Sequence, residues 1–169
     1  MHVRSGLIVL LAVLICALCA PLRAQNGGQM SYAPLSTTKF MSLPVLPACA
    51  TFAAQRGDPM KGAAVLLLKL TTGCVIPWHW HTASESLMMV SGKGKVQMKP
   101  IDTHTFYPGD FLYLPGKEVH QFTCLSSCLL YDVTDGAFDI HYVKASDGTE
   151  IPPDQALKPM AKPAAAKKP

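Results

Sequence analysis

Short apolar runs recur about every ten residues in the middle of the chain, and their spacing restricts the fold more than any other feature. The runs are separated by turn sequences rich in Gly, Pro, Asp and Ser, such as Pro108-Gly109-Asp110 and Asp135-Gly136. No stretch keeps a helical period. The pattern predicts an all-β domain, a sandwich or barrel, with strands near residues 64–70, 74–81, 86–90, 96–98, 111–114, 119–123, 129–133 and 140–143.

The two ends of the chain have a different composition. Residues 7–20 are an apolar run that follows Arg4, and at 14 residues it is shorter than the ~20 a membrane-spanning helix needs. This pattern predicts a secretory signal peptide over residues 1–24, hence an exported protein, periplasmic or secreted, without stable membrane insertion after signal removal. We further predict an N-terminal arm over residues 25–48, the folded domain over residues 49–157, and a flexible Lys, Ala and Pro tail over residues 158–169.

The net charge of +4 arises from these ends. Six of the 15 Lys and Arg residues lie in residues 1–24 or 158–169, whereas all 11 Asp and Glu residues lie between them. The middle region therefore carries nine positive and 11 negative side chains. Nucleic-acid binding requires clustered basic residues on a folded surface, so this composition argues against nucleic acid as a partner.

Three histidines and a carboxylate have the spacing of a metal site. His79 and His81 alternate along a predicted strand and point to one face, while Trp78 and Trp80 point to the other. Glu85 follows after a short turn and returns beside the histidines, and His120 comes from a separate segment. Such a ligand set suits a divalent transition metal, Fe, Mn, Ni, Cu or Zn. The alternative is that His79 and His81 are ordinary half-buried strand histidines; the placement of Glu85 and His120 favours the metal.

These residues also carry a family resemblance. The segment 73–92 matches the first motif of the cupins at Gly73, His79, His81, Glu85 and Gly92, and the second motif is present at Gly109, Pro115 and His120. Over residues 49–143 the chain resembles exported bacterial single-domain metallocupins of the cupin 2 type. The resemblance implies a small jelly-roll barrel, or double-stranded β-helix, with the metal bound by His79, His81, Glu85 and His120. Two positions depart from the motif, because Lys117 replaces its second Gly and Cys124 replaces its Asn.

The resemblance also implies a function. We expect a metal-dependent enzyme, oxygenase-like or isomerase/lyase-like, that acts on a small organic molecule, with Glu85 leaving the metal to act as a base. The alternative is a non-catalytic metal- or small-molecule-binding module of the cell envelope. Cupins often pair through their sheets, so a homodimer is expected. The outward Trp78 and Trp80 need a cover, which a second copy or the arm over residues 26–47 could supply.

Four cysteines remain after the predicted signal, and an even number permits disulfides in an exported protein. Residues 125–127 form a short loop that would place Cys124 opposite Cys128 across a hairpin, which favours a bridge between them. The alternative is a free Cys124 thiol near the metal. Cys49 and Cys74 have no informative spacing.

The Gly-rich segment over residues 91–95 is predicted to be a tight turn between strands. The large apolar residues of the predicted strands are assigned to the barrel core. Met89 and Phe122 are expected to line the metal pocket. His104 and His141 are expected at the surface or at a sheet edge. The predicted core residues are Met88, Met89, Met98, Phe106, Phe111, Tyr113 and Phe122.

Overall fold

The structure, a computed structural model, describes residues 30–99 and 102–158, and the compact body begins at Ala33. The predicted signal peptide over residues 1–24 lies outside the described residues, as does the predicted tail beyond Lys158. Within the described ranges, no helix is long and apolar enough to cross a membrane.

Antiparallel strands dominate the described part of the chain, and the all-β prediction is confirmed. The helical segments there are a 3-10 turn over Leu35–Thr37 and α1 (Pro153–Ala156). The strands are β1 (Ala50–Arg56), β2 (Ala64–Leu70), β3 (Val75–Trp80), β4 (Glu85–Met98), β5 (Thr103–Phe106), β6 (Phe111–Leu114), β7 (His120–Thr134) and β8 (His141–Tyr142).

Two long strands, β4 and β7, pair with each other along most of their length and hold the barrel together. The second half of β7 pairs with β2, and the first half of β4 pairs with β6, which gives a first sheet in the order β1-β2-β7-β4-β6. The first half of β7 pairs with β3, and the second half of β4 pairs with β5, which gives a second sheet in the order β8-β3-β7-β4-β5. Both long strands thus bend from one sheet into the other.

Two predicted turns are wrong, because both segments lie at the bends of the long strands. Residues 91–95 are not a tight turn but a bulged part of β4, where the register shifts between Met89 and Gly94. Gly92 adopts a φ of 90°, and a Cβ there would collide with the main-chain oxygen of Ser127, so the bulge requires glycine. The predicted hairpin at residues 125–127 is likewise wrong, because this segment lies within β7.

The four cysteines form two disulfides within the described residues. The predicted Cys124–Cys128 bridge is confirmed, although it spans the bend of a single strand, and the free-thiol alternative for Cys124 is wrong. Cys49 pairs with Cys74, a bridge that the sequence did not indicate. The Cys49–Cys74 bridge ties the start of β1 to the start of β3.

The core lies between the two sheets, and its most buried side chains include Leu70, Val96, Leu114 and Leu130. Of the predicted core residues, Met89, Phe106 and Phe122 are buried, and Met88 and Met98 are half-buried. Phe111 and Tyr113 were wrongly placed, since they are 64% and 56% exposed. They occupy the outward positions of β6, an edge strand whose Leu114 points inward.

The outward tryptophans are covered by the chain itself. Trp80 stacks on His141 of β8, with ring centroids 3.8 Å apart and planes 5° from parallel. The Nζ atom of Lys99 lies 5.5 Å from the centroid of the Trp78 ring. Neither a second copy nor the arm is therefore needed here, and the homodimer stays a prediction that rests on the resemblance alone.

The arm instead packs against β1 and contacts Tyr142 of β8. Met41 exchanges main-chain hydrogen bonds with Phe52 of β1, at 2.8 and 2.9 Å. The hydroxyl of Tyr142 donates to the main-chain oxygen of Val45 at 2.7 Å. Leu46 is buried. This packing brings the arm to the cavity described below.

Candidate metal centre

Three buried histidines meet inside the barrel, as the sequence predicts. His79 in β3 lies beside His120, the first residue of β7, and His81 directly follows β3. The three residues are 3%, 3% and 8% exposed. One ring nitrogen of each lies within 4.8 Å of those of the other two. This histidine cluster can bind a metal ion.

The main chain orients all three imidazoles. The Nδ1 atoms of His79 and His120 lie 2.6 and 2.9 Å from the carbonyl oxygens of Pro77 and Glu118, and Nδ1 of His81 contacts the carbonyl oxygen of Asp139. A carbonyl oxygen can only accept a hydrogen bond, so each Nδ1 carries the proton. In the neutral imidazole, the form in which histidine binds metals, Nε2 is then the atom with the lone pair.

Glu85 brings a carboxylate to this cluster from the opposite sheet. It begins β4 opposite Leu114 and Thr134 of the first sheet, and it is 6% exposed. Its Oε1 lies 3.0 Å from Nε2 of His120, and its Oε2 lies 3.5 Å from Nε2 of His81. The predicted return of Glu85 to the histidines is thus seen in the contacts with His81 and His120.

Burial and mutual charge set the protonation of the cluster. Burial, with the charges of His120 and His81 adding to it, holds the pKa of His79 well below its ordinary value. Burial also lowers the pKa of His120, but the hydrogen bond and charge of Glu85 outweigh it and raise the pKa overall. Burial raises the pKa of Glu85, but the charge of His81 and the hydrogen bond from His120 bring it below the ordinary value. Glu85 is therefore ionised and His79 neutral, as metal ligands must be, whereas His120 has to release its Nε2 proton when a metal binds.

Two aspartates that the sequence analysis did not single out hold the turn between His81 and Glu85. The Oδ1 atom of Asp139 accepts the Thr82 N–H at 2.8 Å, and Oδ1 of Asp135 accepts the Ser84 N–H at 2.9 Å. Burial raises the pKa of Asp139, but hydrogen bonds from Thr82 and His141 outweigh it and lower the pKa overall. Asp139 is thus an ionised acceptor, and the two hydrogen bonds together fix the path from one site residue to the other.

Lys117, where the chain departs from the second motif, adopts a φ of 69° and is the sole non-glycine among the described residues with a positive φ. Its N–H donates to the carbonyl oxygen of His81 at 2.8 Å. A Cβ on the neighbouring Gly116 would collide with the carbonyl oxygen of Thr82. The turn before His120 therefore keeps its close packing on residues 81–83, with a lysine in a conformation that favours glycine.

A cavity of about 710 Å³, open mouth included, lies over the cluster. Most of its wall is apolar, with Leu43 and Leu46 contributed by the arm. Phe122 lines it as predicted, whereas Met89 packs in the core and is not part of the wall. An apolar wall with a few polar groups that converge on one point is typical of a small-molecule site.

Asp132 of β7 also lines this cavity, and the sequence analysis missed it. It is 2% exposed, and its Oδ1 has no hydrogen-bond partner among the described residues. Burial, with the negative charge of Glu85 adding to it, raises the pKa of Asp132 well above its ordinary value. The only signal in the sequence was an acidic residue at an inward position of an apolar strand.

An antiparallel barrel of two sheets that encloses a histidine cluster beneath an apolar cavity defines a class of small-molecule-binding jelly rolls. Residues 66–134 match the family model described as the Cupin domain, and this segment contains all four predicted ligands. Residues 66–134 therefore form a cupin domain, and the predicted jelly-roll fold is confirmed.

Solved structures share this fold at low sequence identity. KdgF from Halomonas sp. is 16% identical with a TM-score of 0.55, covering 64% of this chain and 96% of its own. The polyketide cyclase RemF from Streptomyces resistomycificus is 15% identical with a TM-score of 0.59, covering 70% and 89%. The DMSP lyase DddQ from Ruegeria pomeroyi is 16% identical with a TM-score of 0.53, covering 62% and 59%. No curated protein sequence matches the chain.

Proposed function

We propose that this cupin is a metal-dependent enzyme that acts on a small organic molecule, with one divalent transition metal held by His79, His81, Glu85 and His120. The observation that carries the proposal is the orientation of the three imidazoles. Each Nδ1 is engaged by a main-chain carbonyl, and the freed Nε2 atoms of His81 and His120 face the same carboxylate. Ordinary strand histidines would have no reason to share this arrangement.

The donor set supports Fe, Mn, Ni, Cu or Zn. Imidazole nitrogen and carboxylate oxygen suit these ions. All four cysteines outside the predicted signal are in disulfides, so no thiolate from them competes for a softer metal. When bound, such an ion supplies a Lewis acid that polarises an oxygen of the ligand.

Proton transfer by Glu85 is the reaction that the protein groups support best. Glu85 is ionised and faces the cavity, so it can accept a proton from a bound molecule, while His120 at 3.0 Å stabilises its charge. An isomerase/lyase-like reaction therefore fits better than an oxygenase-like one. Two structural neighbours are named as a polyketide cyclase and a DMSP lyase, which agrees with an isomerase/lyase-like reaction.

Export forms part of the proposal. The two disulfides support an oxidising compartment, the periplasm or the exterior, because such bridges persist there and are rare in reducing cytosol. The apolar run over residues 7–20 would direct the chain to that compartment.

Replacement of Glu85 by Gln tests the enzyme against the alternative of a non-catalytic binding module. We expect the purified protein to contain about one transition metal per chain by elemental analysis. The E85Q variant should retain metal and most of its melting temperature through the three histidines, but lose turnover in a screen of lyase and isomerase substrates. The E150Q variant, which makes the same chemical change at an exposed residue, should keep both metal and turnover. Protein without metal, or with metal but no turnover on any substrate, would contradict the proposal that this protein is a metal-dependent enzyme.

A further inference from the structure

One polar group in the cavity has no partner. Five polar side chains line the wall, and four of them, His79, His81, Glu85 and His120, engage one another or the main chain. The fifth is Asp132, whose Oδ1 has no hydrogen bond within the described ranges. Buried polar groups are nearly always hydrogen-bonded, so an unpaired carboxyl oxygen requires an explanation.

The strand geometry directs Asp132 into the cavity and surrounds it with apolar side chains. Along β7, Leu130 and Asp132 are buried, while Tyr131 and Val133 between and after them are half-buried on the other face. Asp132 lies opposite Leu66 of β2 and Leu87 of β4, both of which also line the cavity. None of these leucines can form a hydrogen bond. A partner for the carboxyl group must therefore come from a molecule in the cavity that Asp132 lines.

We propose that Asp132 is a ligand-binding residue that donates a hydrogen bond to an oxygen of a small, mostly apolar molecule lying over the histidine cluster. The proposal deepens the proposed function and depends on it for the position of the ligand. Ketones and related carbonyl compounds are the chemical class that fits, because they combine an apolar body with a strong oxygen acceptor.

Two further observations support this assignment. The raised pKa of Asp132 keeps its carboxyl neutral, and a neutral carboxyl carries an O–H donor. Asp132 is also a diagonal neighbour of Glu85, because Leu87 and Thr134 are their respective cross-strand partners. Diagonal pairs of this kind lie about 7–8 Å apart. One small molecule can therefore touch the neutral carboxyl and the ionised carboxylate at once.

A pair of matched probes tests the donor. Acetophenone and ethylbenzene have similar size and shape, but only acetophenone has a carbonyl oxygen. Their affinities are measured by NMR titration of the full chain after metal removal with a chelator, so that no ion can bind the oxygen. We expect the ratio of acetophenone to ethylbenzene affinity to fall about tenfold in D132L and to stay close to wild type in D132N, which keeps a donor.

Thr134→Val is the matched control. Thr134 is buried two residues further along β7, but its hydroxyl oxygen already accepts the Ala64 N–H at 3.3 Å. This variant should leave the affinity ratio unchanged. An unchanged ratio in D132L, or wild-type protein that binds neither probe, would overturn the proposal.

A measurement on the wild type keeps the test valid if D132L does not fold. The carboxyl ¹³C resonance of Asp132 is identified by its loss in D132N, and it should shift with acetophenone but not with ethylbenzene. Equal shifts with both probes would also overturn the proposal. Because the protein is metal-free here, failure of this test is separate from failure of the proposed function, which is judged by bound metal and turnover.

Discussion

The imidazole of His81 donates from Nδ1 to the main-chain oxygen of Asp139, and the side chain of Asp139 holds the amide of the next residue, Thr82. One residue of the segment before β8 thus fixes both the ring of His81 and the start of the turn that leads to Glu85. Outer residues that orient metal ligands typically change metal affinity by 10- to 100-fold when they are replaced.

Replacement of Asp139 by Ala should therefore weaken metal binding. The Thr82 amide loses its acceptor, so the segment whose main-chain oxygen orients the His81 ring is held less firmly, and we expect about a tenfold lower affinity for Co²⁺ in a competition titration. Asp110→Ala is the control, because Asp110 accepts the Tyr107 N–H at 2.7 Å in a turn outside the site. If D139A bound Co²⁺ as tightly as D110A, Asp139 would have no positioning role.

Replacement of Lys117 by Gly should stabilise the protein. A lysine at a φ of 69° is strained by its Cβ, whereas glycine adopts this conformation freely. We expect the free energy of unfolding in urea to rise by about 0.5 to 1 kcal/mol after allowance for the greater freedom of glycine in the unfolded chain. K117A removes the charge but keeps the Cβ, so it should show little gain. Equal stabilities for K117G and K117A would show that the main chain at Lys117 is not strained by its Cβ.

The two disulfides should contribute unequally. The Cys49–Cys74 bridge spans 25 positions and the Cys124–Cys128 bridge spans four, and loop-closure entropy predicts about 3.5 and 2 kcal/mol respectively. Double replacement by Ala at each pair, followed by urea unfolding, measures both contributions. Mass spectrometry of the non-reduced wild type should find all four thiols blocked. Free thiols at either pair, or a larger loss from the shorter loop, would be inconsistent with this prediction.

Asp132 should make the metal-free protein less stable as the pH rises. Its pKa is raised in the folded state from an ordinary value of 3.8, so above that pH the unfolded chain releases a proton that the folded chain retains. The contribution of Asp132 then falls by about 1.4 kcal/mol per pH unit until the folded-state pKa is reached. Urea unfolding at successive pH values should show the stability of D132N rising relative to wild type above pH 3.8. A constant difference between the two proteins would contradict the shift.

Some elements were missed because their local patterns are weak. Strand β5 has three exposed residues and only Phe106 buried, and β1 is rich in small alanines, so neither forms an apolar run. Gly92 was interpreted as a turn residue because glycine at positive φ serves turns and bulges equally. Asp132 was missed because nothing in its neighbours reveals that the cross-strand positions are leucines.

The sequence by itself determined the class of fold and the local half of the site. Strand alternation places His79 and His81 on one face, and a short turn returns Glu85 to them, because both relationships depend on residues close in the chain. Only the tertiary structure decided the rest: the pairing of β3 with β7 that sets His120 beside His79, the carbonyl of Asp139 on His81, and the unpaired Asp132 in the cavity wall. These relationships depend on which strands pair and in which register, and a shift of one residue would turn each side chain to the other face.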